Sequence, residues 1–238
     1  KKIIVATIAT TDSKGITTYN QSTFSTMNSD VIKLRDWLLK FNCKHACMES
    51  TGKYWIPIWN ILESHIKLTL AHPKYTKSIK GKKTDKKDSK WIADLFKHDL
   101  IPGSFIPPKD IRQLRDLSRY RFKLTYIKVS EKNRIQNCFT MSNIRIDSVV
   151  SDPFGKSARL IINDILNNPD FKPEDSTSLL KKSLIKKKDQ IIEALQDVNI
   201  ESDQHLKMDI AYNHIDQIDE YIKKIEQHCA QKGVEVEL

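Results

Sequence analysis

No apolar run in the 238 residues approaches the length needed to cross a bilayer, and Lys1-Lys2-Ile3-Ile4-Val5 is too short for a signal peptide. The four cysteines, Cys43, Cys47, Cys138 and Cys229, form no C-x-x-C pair and no Cys/His spacing typical of zinc. His45 lies between two of them, but alternation there fits a strand rather than a ligand cage. Free thiols suit a reducing compartment, so a cytoplasmic protein is expected. Phosphate-binding loops are also missing. Gly81-Lys82 lacks the upstream glycine of a P-loop, no G-x-G-x-x-G occurs, and Ser50-Thr51-Gly52 is not a nucleophile elbow. These absences weigh against membrane, zinc, nucleotide-loop and serine-hydrolase chemistry.

What is present is positive charge. Forty Lys and Arg against thirty Asp and Glu give a formal +10 and a pI near 9.3. Such a field draws polyanions, nucleic acids first among them. The apolar pattern opens with strands over Ile3–Ala9 and Ile16–Phe24, joined by a turn at Thr11 to Gly15. Val31, Leu34, Trp37, Leu38 and Phe41 recur at helical spacing, followed by a strand at His45–Met48, a helix over Tyr54–Leu62 and a strand at Lys67–Ala71. That order predicts an α/β domain with a mixed sheet. After a Lys-rich stretch a helix is expected over Asp85–His98, and Pro102-Gly103 and Pro107-Pro108 punctuate a loop. The remainder reads as all-α: a long helix from Asp110 to about Phe139, helices over Ser157–Leu166 and Leu179–Leu195, and a final helix. In that last helix Met208, Ala211, Ile215, Ile218, Ile222, Ile225 and Cys229 alternate steps of three and four. This spacing makes a coiled-coil seam, a helical hairpin or a core helix of the same chain. The fold class expected is thus α/β then all-α, with domains over 1–105 and 106–238.

Three carboxylates carry the candidate chemistry. Glu49 ends a strand, where open α/β sheets place functional groups. Asp85 and Asp88, three apart at a helix start, project from one face. A carboxylate-only set is hard-oxygen ligation, suited to Mg²⁺ or Mn²⁺ and to phosphodiester cleavage. Lys82, Lys83, Lys86 and Lys87 flank the Asp pair. The long helix adds Arg115, Arg119 and Arg121, with Tyr120 and Tyr126 interleaved, a combination that grips phosphates and stacks on bases. Taken singly, the Asp pair would equally complement a helix dipole, and the Lys run would equally be a solvated face.

Met48-Glu49-Ser50-Thr51-Gly52-Lys53-Tyr54-Trp55, Lys83-Thr84-Asp85-Lys86-Lys87-Asp88-Ser89-Lys90-Trp91-Ile92-Ala93-Asp94-Leu95, Leu114-Arg115-Asp116-Leu117-Ser118-Arg119-Tyr120-Arg121 and Gly155-Lys156-Ser157 together closely resemble the DEDD insertion-sequence transposases. The resemblance implies a RuvC-like, ribonuclease-H-type domain followed by a coiled-coil region for nucleic-acid binding and assembly. It implies Mg²⁺ or Mn²⁺ held by Glu49, Asp85 and Asp88. It also implies DNA and a guide RNA as partners, and a homo-oligomer formed through the 208–229 heptad. The family's first Asp would stand on a strand upstream of Lys1, central to the sheet. A catalytic Ser would stand in a domain beyond Leu238, and Ser157 is not that Ser by position. Since the chain starts with Lys rather than Met, removal of its first segment by processing or truncation is expected. The function expected is DNA transposition, with a binding-only remnant of such an enzyme as the alternative.

Overall fold

The computed structural model describes residues 2–77 and 84–232, which divide into two compact units, one ending at Pro107 and the other starting at Pro108. The first unit begins with a hairpin of β1 (Ile3–Thr11) and β2 (Thr17–Ser25), antiparallel from Ile3 against Ser25 to Thr11 against Thr17. Its turn is held by one carboxylate. Asp12 Oδ1 accepts from the Lys14 and Ile16 amides at 2.9 and 2.8 Å, while Gly15 takes φ +80, a conformation glycine adopts without strain. Asp12 is therefore a turn residue.

Helix α1 (Asn28–Lys40) follows, then β3 (His45–Glu49), α2 (Trp55–Leu62) and β4 (Lys67–Ala71). β3 and β4 run parallel, as a strand–helix–strand unit requires, with Glu49 level with Ala71. The single turn α3 (Pro73–Thr76) leads toward α4 (Asp85–Lys97). The loop expected around Pro102-Gly103 contains a two-residue strand, β5 (Gly103–Ser104), antiparallel to β4.

The architecture is α/β followed by helices, but the one mixed sheet expected is two sheets among the described residues, β1-β2 and β3-β4-β5. No ladder joins β1 to β3. Side chains do the joining instead: Ile8 from β1, Leu34 and Leu38 from α1, Leu62 from α2 and the following Ile66 form one apolar core, flanked by Ala46 and Met48 from β3. α4 packs along β1 and also touches β3.

The second unit is built on a hairpin of two long helices, α5 (Lys109–Met141) and α9 (Ser202–Gln231). Cross-pairs Gln113 with Lys232, Arg121 with Glu226, Lys128 with Asp219 and Glu131 with His214 descend on one helix as they climb on the other, so the helices are antiparallel. Every seam residue of the α9 heptad is turned to this chain's own core. Met208, Ala211 and Ile215 pack with Ile135, Cys138 and Phe139, and Ile218, Ile225 and Cys229 pack with Leu124, flanked by Ile222. The assembly seam expected at 208–229 is thereby corrected: α5 of the same chain fills it.

Between the long helices lie α6 (Lys156–Asn167), α7 (Ser176–Leu179) and α8 (Lys188–Ala194). The continuous helix expected over Leu179–Leu195 is broken, because Leu180 turns extended (φ −75, ψ 140) and buries its side chain. A 3₁₀ stretch then carries the chain to α8. Burial of one leucine in the core outweighs helix continuity through a Lys-rich segment.

Candidate functional site

Glu49 is the last residue of β3, half-buried, and the chain turns at once behind it. The Ser50 amide donates to the Ala71 carbonyl at 2.9 Å, extending the parallel ladder by one bond, and Gly52 at φ +53 redirects the backbone toward α2. The carboxylate is held from two sides. Thr51 Oγ1 donates to Oε1 at 2.6 Å, and Thr76 Oγ1, from α3 beside the end of β4, lies 2.9 Å from Oε2. Thr76 is buried and also lies 3.2 Å from the Pro73 carbonyl, so its single proton is shared between the two acceptors. Neither threonine stands out by spacing. Thr51 lies in the same short turn as Glu49, but Thr76 becomes its partner only through the parallel pairing of β3 with β4.

Asp85 and Asp88 occupy the first turn of α4, Asp85 exposed and Asp88 half-buried. Thr84 is the N-cap, its Oγ1 accepting from the Lys87 amide at 3.2 Å. The cap function is thus met by Thr84, and the two carboxylates add their charge at the start of the helix. Lys86 and Lys87 are exposed beside them. Lys82 and Lys83 lie outside the described residues.

A polar layer that sequence reasoning missed fixes α4 on the hairpin. Ser89 Oγ is 2.7 Å from Thr7 Oγ1 on β1, and Gln21 on β2 donates to Thr7 Oγ1 and to the Lys86 carbonyl, each at 2.8 Å. Tyr19 donates to Asp94, a bond that raises the Tyr19 pKa, and Lys90 lies 4.2 Å from the centre of the same ring. The helix bearing the Asp pair is therefore oriented by hydrogen bonds from both hairpin strands, in addition to apolar contact.

The three carboxylates have the right chemistry for a hard divalent cation. Among the described residues no three His, Cys, Asp or Glu side chains gather closely enough to hold a metal ion. The cysteines are free, and burial pushes the Cys47 thiol up to about 11. Among the described residues no helix is long and apolar enough to cross a membrane.

The arginines of α5 divide by face. Arg115 and Arg119 are exposed. Arg121 instead points into the hairpin, its side chain 14% exposed, with Nε and Nη2 on Glu226 Oε1 at 2.8 and 2.7 Å. The Arg121 charge thus already has a partner within the unit.

The model of the IS110-type DEDD transposases, described as transposase, matches residues 3–143. The chain belongs to that family. The match takes in β1 through α5, hence Glu49, Asp85, Asp88, Arg115 and Arg119, while α6 to α9 lie beyond it. Comparison with curated proteins gives no match.

Proposed function

We infer that this transposase chain acts on DNA through its first unit, Glu49, Asp85 and Asp88 serving as ligands for Mg²⁺ or Mn²⁺ and as the catalytic carboxylates. One observation carries the reading: within the family-matched region, α4 packs along β1 and touches β3, the strand that ends in Glu49. A bound divalent cation would supply Lewis acidity at a phosphodiester. The chain's own contributions are more specific. Thr51 and Thr76 orient the Glu49 carboxylate, Ser89 and Gln21 hold α4 in place, and Lys86, Lys87, Arg115 and Arg119 attract the phosphate backbone. Lys82 and Lys83 are assigned the same role from their position in the sequence. A guide RNA and self-assembly belong to the same reading, with copies meeting on a surface other than the 208–229 seam.

The test is cleavage and strand transfer on element-end DNA in Mg²⁺, comparing the chain with Glu49→Gln and Asp88→Asn. Activity abolished in both variants with DNA binding retained supports the carboxylate assignment. Cutting that survives both substitutions refutes it. A second reading, a binding module without catalysis, draws on the absence of a three-donor cluster among the described residues. It prevails if the unmutated chain binds DNA yet never cuts, even when longer forms of the transposase are supplied.

A further inference from the structure

Among the described residues, helix α5 has a second face with no partner in its own unit. Toward α9 it presents Leu114, Leu117 and Leu124. Half a turn away, at helical spacing, stand Arg115, Arg119, Phe122, Tyr126, Val129 and Asn133, all exposed. The rings are the unusual part. Phe122 is 66% and Tyr126 69% exposed, and their centroids lie 5.9 Å apart at a tilt of 48°. Single exposed apolar residues are ordinary, but two neighbouring rings continued by Val129 form a patch. The acids of α5 lie off this stripe. Glu131 faces α9, bonded to Arg134 and His214, and by periodicity Asp110 and Asp116 fall on other sides.

Charge selects the occupant. A second copy meeting this face with its own would set Arg115 and Arg119 against arginines, with no carboxylate on the stripe to neutralise them. A lipid surface needs a continuous apolar helix face, and that face of α5 is covered by α9. A polyanion meets the arginines directly. Duplex DNA would satisfy them too, but its base faces are stacked inside and would leave the rings in water. Unpaired bases use both features, since every base has a π-face and each phosphate a charge.

We propose that this face of α5 is a stacking platform for single-stranded DNA, Phe122 and Tyr126 taking base faces while Arg115 and Arg119 take phosphates. From Arg115 to Asn133 the stripe runs about 27 Å at the α-helical rise, long enough for several nucleotides. The proposal rests on the reading that the chain acts on DNA, and extends it to strands whose bases are exposed.

The test uses the full chain and fluorescence anisotropy with labelled oligothymidine, a hairpin duplex and oligouridine, with Phe122→Ala, Tyr126→Ala and the double variant. Both rings are at the surface, so thermal melts of the variants should match the parent. Each substitution is expected to weaken oligothymidine binding about tenfold and duplex binding less than about twofold. Arg115→Ala and Arg119→Ala each lower the salt slope by about 0.7 on the single strand. Duplex binding with no loss of oligothymidine affinity in the ring variants overturns this proposal and leaves the DNA reading standing. Equal losses on both polymers, or a loss confined to oligouridine, overturn it as well. A change in sedimentation instead of in binding makes the face a contact between copies and also overturns it. If the unmutated chain binds neither form of DNA, the broader reading fails first.

Discussion

Replacing Ile218 by alanine asks whether the heptad of α9 closes within one chain. Ile218 is 1% exposed and packs with Leu124, Ile225 and Cys229 at the centre of the α5–α9 seam. Truncation removes buried methyl and methylene groups and leaves a void between two long helices that cannot collapse freely, a loss of about 3 kcal/mol. In a unit of this size each kcal/mol moves the midpoint by about 4 °C, so the melting temperature falls by roughly 12 °C. The control is Ile210→Ala on the same helix, 57% exposed. It makes the same change in helix propensity without a cavity, and its cost stays within about 0.5 kcal/mol. Far-ultraviolet circular dichroism melts read both variants. They are repeated over a wide range of protein concentration, because a hairpin within one chain has a midpoint independent of concentration while an intermolecular seam does not. Equal midpoints for the two variants would refute the intramolecular seam, and so would a concentration dependence of the unmutated chain's midpoint that Ile218→Ala alone removes.

Three further outcomes follow from particular contacts. Glu131 is buried on α5; burial raises its carboxyl pKa, but hydrogen bonds from Arg134 and His214 outweigh this and hold it below the ordinary range. A depressed carboxyl stabilises the fold above its unfolded pKa of about 4.3 and loses that contribution as pH falls through the folded value. The urea-midpoint advantage of the unmutated chain over Glu131→Gln therefore shrinks below that pH, and an advantage that grows on acidification contradicts the assignment. Arg121→Ala lowers hairpin stability by about 1 kcal/mol, since its partner Glu226 is 43% exposed and well screened. It leaves the salt slope of DNA binding intact, whereas Arg119→Ala reduces that slope by about 0.7–0.9; equal slopes for the two variants contradict the division of faces. Thr84→Ala removes the cap of α4 and costs about 1 kcal/mol locally. Hydrogen exchange reads this as lost protection in the first turn of α4, and unchanged protection shows that Thr84 does not cap it.

Local pattern was enough to reveal most elements. An apolar, β-branched run marks β1, turn chemistry after it marks the hairpin with β2, alternation marks β3, and a three-four spacing marks α1 and α9. The errors came where non-local packing decides. Leu180 ends α7 because its side chain is taken into the core, an influence that no window of the Lys-rich segment contains. β5 is a two-residue strand that exists only because β4 offers it an edge. The α9 heptad was legible, but its partner was not, because a seam facing another molecule and one facing α5 share the same spacing.

The candidate site divides in the same way, and the division explains why the arginines of α5 behave differently. Carboxylates announce themselves by charge in an otherwise basic neighbourhood, so Glu49, Asp85 and Asp88 could be named from sequence. The hydroxyls that hold Glu49 and α4 could not, because Thr76 and Ser89 acquire their roles from strand pairing and helix packing. Arg119 and Arg121 differ by only two positions, yet on a helix two positions place side chains on different sides. Arg121 therefore meets Glu226 across the hairpin, while Arg119 shares the open stripe with Phe122 and Tyr126. Counting basic residues treats the two arginines as equal. Only the α9 partner shows which face of α5 stays exposed, and the proposed stacking platform therefore belongs on the side turned away from α9.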